Sequence, residues 1–249
     1  TVMRGLRPEA AGDYSWSPDG KWLAFSASDA TEFSVIHVWN VDTGKVQRLT
    51  HPSYNAVEPK FSPDGLFLYY FSDQQISSGA DSPYGMRGSE PSIVGAQQLM
   101  CLPLREGFKC PFFMGDELNS QGQTYDPSIG KKFKTKVSVI NVEKRAVTVP
   151  FLEKRQYMGL HIIGDGRTFL MQMWDGVGLY LISLDIISGG ITPIYPDPMG
   201  VFVSGDTNVV MIAVEQGLAL ISSKALSMAG ISQDQILASA VVWAPPEGW

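Results

Sequence analysis

Tyr14-Ser-Trp-Ser-Pro-Asp-Gly-Lys-Trp-Leu-Ala-Phe-Ser26 and Pro59-Lys-Phe-Ser-Pro-Asp-Gly-Leu-Phe-Leu-Tyr-Tyr-Phe71 are two copies of one pattern. Ser17-Pro18-Asp19-Gly20 returns as Ser62-Pro63-Asp64-Gly65 after 45 residues. An aromatic residue precedes each turn and an apolar, β-favouring run follows it. Asp tolerates the left-handed backbone region and Gly supplies positive φ without steric cost, so each copy predicts a β-hairpin. A self-similar unit of about 40 to 50 residues, built from short strands, has the size of a β-propeller blade. The expected fold class is therefore all-β.

The first unit runs through strands near 13–17, 21–27, 34–41 and 45–50, enough for one four-stranded blade. The second opens in the same way, and its outer strands are expected at 97–104 and 108–113. Two polar, Gly- and Ser-rich stretches, 72–96 and 114–135, interrupt the pattern as loop insertions. Residues 136–142 and 146–149 suggest an extra hairpin. Strands near 158–163 and 168–173 flank Gly164-Asp165-Gly166, a worn form of the turn, with 178–184 and 191–194 as the outer pair. A last cycle covers 200–204, the turn Gly205-Asp206, 209–214 and 218–221, with 223–230 as the only helix candidate. The count is about four recognisable four-stranded units plus one hairpin, which predicts a segment of a larger six- or seven-bladed ring. The propeller is expected over residues 1–232. Residues 233–249 leave the pattern and end in Pro245-Pro-Glu-Gly-Trp249, an expected exit linker toward a C-terminal module outside the chain.

The composition of the 249 residues, 44% hydrophobic and 18% charged, suits a folded globular chain. Net charge is −6, which gives no basic footprint for nucleic acid or anionic membrane. No apolar run of about 18 residues occurs, so no membrane-spanning helix is expected. The amino end, Thr1-Val-Met-Arg-Gly, lacks the apolar core of a signal peptide and begins without Met, as a mid-protein stretch would. Cys101 and Cys110 flank Arg105-Glu-Gly107 and could approach across a hairpin; free thiols in a reducing interior are the favoured reading. That weakly favours cytoplasm or an organelle interior over secretion and leaves the compartment open.

Catalytic chemistry is not legible, and no catalytic, cofactor-binding or metal-binding residue is assigned. His37 and His161 lie within apolar strand patterns, and His51 precedes Pro52 at a unit junction. No zinc spacing, phosphate loop or nucleophile elbow accompanies them. Gly164-Asp-Gly166 and Gly176-Val-Gly178 are turn glycines, because neither opens a helix. One carboxylate per turn is too few for calcium, so Asp19 and Asp64 are expected to hold their own turns. Lys131, Lys132, Lys134 and Lys136 form a basic run that suits a solvated edge. No cofactor is expected.

Ile36-His-Val-Trp-Asn-Val-Asp-Thr-Gly44 resembles the end of a WD-repeat blade, with Asn40 where that family has Asp and without its Gly-His dipeptide. The doubled Phe/Trp-Ser-Pro-Asp-Gly resembles TolB-like and tricorn-type propellers instead. Val139-Ile-Asn-Val-Glu143, Val147-Thr-Val-Pro-Phe151 and Tyr157-Met-Gly-Leu160 are similar to later blades of the seven-bladed propeller in tricorn-type proteases. Ala240-Val-Val-Trp-Ala-Pro-Pro-Glu-Gly-Trp249 resembles the exit from that propeller. The resemblance implies a non-catalytic propeller portion of a serine peptidase, a gated channel or docking platform serving peptide access or assembly. The serine site would lie on C-terminal domains. Implied partners are proteins or peptides, the protein's own C-terminal peptidase module or other subunits, with no nucleic acid and no membrane span. The alternative is a stand-alone WD-repeat-like or TolB-like propeller acting as a protein-docking scaffold.

Overall fold

The computed structural model describes residues 12–28, 32–74, 77–78, 93–94, 97–110, 112, 133–153, 155–164, 166–215, 217–227 and 232–241. These residues build four four-stranded antiparallel sheets of a β-propeller. The chain divides into two compact units, and each unit holds two of the sheets.

In the first unit, sheet one is the meander β1 (Gly12–Trp16), β2 (Trp22–Ser28), β3 (Ser34–Asn40) and β4 (Val46–Arg48). Sheet two is ordered β5 (Ala56–Phe61), β6 (Phe67–Ser72), β9 (Gln98–Pro103) and β10 (Val147–Thr148). The small ladder β7 (Ser77–Ser78) with β8 (Ile93–Val94) is inserted between β6 and β9. Period-2 alternation sends Ala24, Ile36 and Val38 of sheet one into the same core as Leu68, Tyr70, Met100 and Leu102 of sheet two. The other face of β6 is covered as well: Phe67, Tyr69 and Phe71 are all buried. That explains its unbroken apolar sequence.

The second unit repeats the plan. Sheet three is β11 (Gln156–Ile163), β12 (Thr168–Trp174), β13 (Leu179–Asp185) and β14 (Ile191–Pro196). Sheet four is β15 (Gly200–Val203), β16 (Val209–Val214), β17 (Gly217–Ser222) and β18 (Ala240–Val241). Leu170, Leu181 and Tyr195 meet Val210, Ile212, Val214 and Ala219 in its core. Two short helices, α1 (Ser223–Ser227) and α2 (Gln233–Ala238), add Leu226 and Ile236 to that core.

Three sequence expectations are corrected. Residues 108–110 are not a strand: Gly107 turns the chain at φ 80, and β10 occupies the outer edge of sheet two. Residues 136–142 and 146–149 do not pair as an extra hairpin. Val147 and Thr148 pair with Cys101 and Met100, while Val142–Lys144 forms a 3-10 turn started by Asn141 at φ 50. The supposed hairpin is therefore the return path of the second blade. Finally, within 233–249, where an exit linker was expected, residues 233–238 form α2 and residues 240–241 join sheet four as β18. α2 is closed by a Ser232–Gln235 capping box, and it delivers β18 onto β17. Residues 242–249, most of 72–96 and all of 114–132 lie outside the described residues.

Candidate functional site

The repeated turns are built by one mechanism. In the first, Ser17 N–H donates to the Trp22 carbonyl at 2.9 Å and Gly20 N–H to the Ser17 carbonyl at 2.9 Å. The Ser17 hydroxyl donates to Asp19 Oδ1 at 2.7 Å and accepts from Trp22 N–H at 2.9 Å. Asp19 Oδ1 also accepts from Lys21 N–H at 3.2 Å. The second turn reproduces this with Ser62 to Asp64 at 2.5 Å, Phe67 N–H to Ser62 Oγ at 2.9 Å and Leu66 N–H to Asp64 Oδ1 at 2.9 Å. Both glycines have positive φ, 67° for Gly20 and 75° for Gly65, as the Asp-Gly signature requires.

The turn expected at Gly205-Asp206 is a third full copy of this mechanism. Ser204 donates to Asp206 Oδ1 at 2.5 Å, and Val209 N–H donates to Ser204 Oγ at 3.0 Å. Thr207 takes the glycine's place at φ 59. Ser204 and Asp206 keep the spacing of Ser17 and Asp19. Hydrogen bonds from Ser204 and Asn208 hold the Asp206 carboxyl down at about 2.

The turn aspartates do more than hold their turns. Asp19 Oδ2 accepts from Thr135 N–H at 2.9 Å, across 116 residues of chain. The Trp22 indole N–H donates to the Thr135 carbonyl at 3.2 Å, and Phe133 N–H donates to the Asp64 carbonyl at 2.9 Å. Arg105 donates to the Lys134 carbonyl at 2.7 Å, with its guanidinium 5.7 Å from the Phe108 ring centre and 5.9 Å from that of Phe133. Burial raises the Asp19 pKa, but bonds from Ser17, Lys21 and Thr135 outweigh it and leave the carboxyl below its ordinary value.

The candidate bases are not brought together. His37 lies in β3, buried and stacked on Phe25 with centroids 5.6 Å apart. His51 follows β4 and stacks on Tyr54 at 6.3 Å. His161 lies in β11, in the other unit. Cys101 and Cys110 are free and buried; burial pushes the Cys101 thiol up, and the neighbouring Cys110 thiol pushes it further. Among the described residues, no group of three or more His, Cys, Asp or Glu could hold a metal ion. A surface cleft of about 400 Å³ is lined by Arg48, Val139, Asn141, Val142, Glu143 and Lys144. It mixes both charges, with Arg48 and Glu143 3.9 Å apart, and contains no nucleophile.

No family model matches the sequence. The crystal structure of the tricorn protease superposes with a TM-score of 0.66 at 15% identity, covering 91% of this chain and 22% of that one. The chain shares its β-propeller fold with that protein. TolB from Acinetobacter baumannii shares the fold, with a TM-score of 0.55 at 14% identity, covering 93% of this chain and 44% of that one. A tricorn protease homolog of Saccharolobus solfataricus is 29% identical over 69 residues, 28% of this chain and 6% of that protein. A Sulfurisphaera tokodaii protein named as a tricorn-like protease C-terminal subunit is 32% identical over 66 residues, 26% of this chain and 8% of that one. The matched stretch thus covers less than a tenth of the length of either curated relative.

Proposed function

We propose that this chain is the non-catalytic propeller portion of a tricorn-like serine peptidase, serving peptide access or assembly. The observation that carries the reading is the tricorn match over 91% of the chain, with two curated tricorn relatives beside it. The scattered histidines agree with it, because acyl transfer needs a nucleophile, a base within hydrogen-bond reach and oxyanion donors together. The four sheets are read as part of a larger six- or seven-bladed ring. In sheet four, Phe202, Met211 and Leu220 stand opposite one another, and Phe202 and Leu220 are 56% and 51% exposed. A neighbouring sheet would cover that row. The TolB likeness favours a second reading, a docking scaffold without a peptidase.

A serine-directed fluorophosphonate probe separates the two. The full-length protein is expected to be labelled and residues 1–249 alone to stay unlabelled. An unlabelled full-length protein selects the scaffold, and labelling of residues 1–249 overturns both.

A further inference from the structure

Residues 133–136 lie beside the first two sheets without joining either as a strand. Their backbone is held at three places instead: on the Asp64 carbonyl through Phe133, on the Asp19 carboxylate and Trp22 indole through Thr135, and on Arg105 through the Lys134 carbonyl. Thr135 is the buried side chain of the segment. Thr135 is 2% exposed and packs on Gly65, whereas Lys134 and Lys136 are exposed.

We propose that residues 133–136 are a latch, a strap that closes over both Ser-Pro-Asp-Gly turns and opens as one piece while the sheets stay folded. Three features support this. The strap contributes a single buried side chain and four hydrogen bonds, whereas the sheets beneath it share a continuous apolar core. Segments held this way open locally at a fraction of the cost of global unfolding. The turns do not depend on the strap, because Asp19 uses Oδ1 for Ser17 and Lys21 and keeps Oδ2 for Thr135. In the third turn the corresponding Oδ2 of Asp206 accepts from its own Asn208 side chain at 2.9 Å. Opening the latch uncovers the Asp19 carboxylate oxygen, the Trp22 indole N–H and the Asp64 carbonyl together, the polar groups that seat an extended backbone.

Limited trypsin digestion of the whole chain reads the latch at the bonds after Lys134 and Lys136, with hydrogen exchange in β2 and β6 followed in parallel. Trp22→Phe removes the indole donor and leaves the turn intact, and Asp19→Asn removes the charged acceptor. Each is expected to speed cleavage at both bonds about tenfold, as loss of one hydrogen bond does for a locally opening segment, with strand exchange unchanged. Unchanged cleavage in Trp22→Phe overturns the proposal. So does strand exchange that rises in step with cleavage, since the strap would then open only with the sheets. Should Asp19→Asn fail to fold, Trp22→Phe decides alone.

Discussion

Gly20 and Gly65 occupy the same place in the same turn, yet the structure separates the costs of replacing them. Both have φ near +70°, so an alanine at either position pays the left-handed penalty of about 1 kcal/mol. A Cβ at Gly20 meets nothing within 4 Å. At Gly65 it would lie 2.6 Å from Thr135 Oγ1 and 3.0 Å from the Phe133 carbonyl oxygen, both on the strap. Overpacking against a β-branched side chain and a fixed carbonyl adds about 1–3 kcal/mol. Gly20→Ala is therefore expected to lower Tm by about 3 °C and Gly65→Ala by roughly 8 °C, since about 2–4 °C accompanies each kcal/mol at this chain length. Thermal melts of both variants by circular dichroism make the comparison. Thr135→Ala in the Gly65→Ala background removes the 2.6 Å contact and is expected to recover part of the loss, a direct measure of coupling. Equal losses at Gly20 and Gly65 would refute the seat of the strap on the second turn.

Two further outcomes follow from particular contacts. Burial raises the Asp185 pKa, but Arg167, with Nη2 2.6 Å from Oδ2, and the Ile187 and Ser188 amides outweigh it and hold the carboxyl at about 2. A depressed folded pKa stabilises above the ordinary value of 3.8 and is lost as pH falls through 2, so acid titration should weaken the fold between about pH 4 and 2, and Asp185→Asn should flatten that slope. Ser232→Ala breaks the capping box of α2 and is expected to cost about 1 kcal/mol, with faster amide exchange at Ala240 and Val241; unchanged exchange there would separate α2 from the seating of β18.

The sheets were legible where the turn chemistry was complete. Ser-Pro-Asp-Gly marked two blades because its Ser, Asp and Gly each have a separate backbone task. The third turn was placed at Gly205-Asp206, but Thr207, which adopts the glycine conformation without the glycine, concealed its likeness to the first two. The closing strands β10 and β18 are two residues long, too short to show alternation. Phe108 was misplaced because a strand-like aromatic run looks the same whether its ring covers a core or, as here, an arginine. α2 was within reach, since Ser232 and Gln235 carry the capping-box spacing. The strap was out of reach. Phe133-Lys-Thr-Lys136 has no periodicity, and Thr135's partners lie more than 100 residues away in the first turn.

The central functional claim, a propeller that handles peptides without cutting them, is tested most directly with the purified chain and a mixed peptide library followed by mass spectrometry. The expected result is retention of intact peptides on the chain with no cleavage products above the protein-free control. Products that appear with the chain and vanish in His37→Ala or His161→Ala would contradict the account.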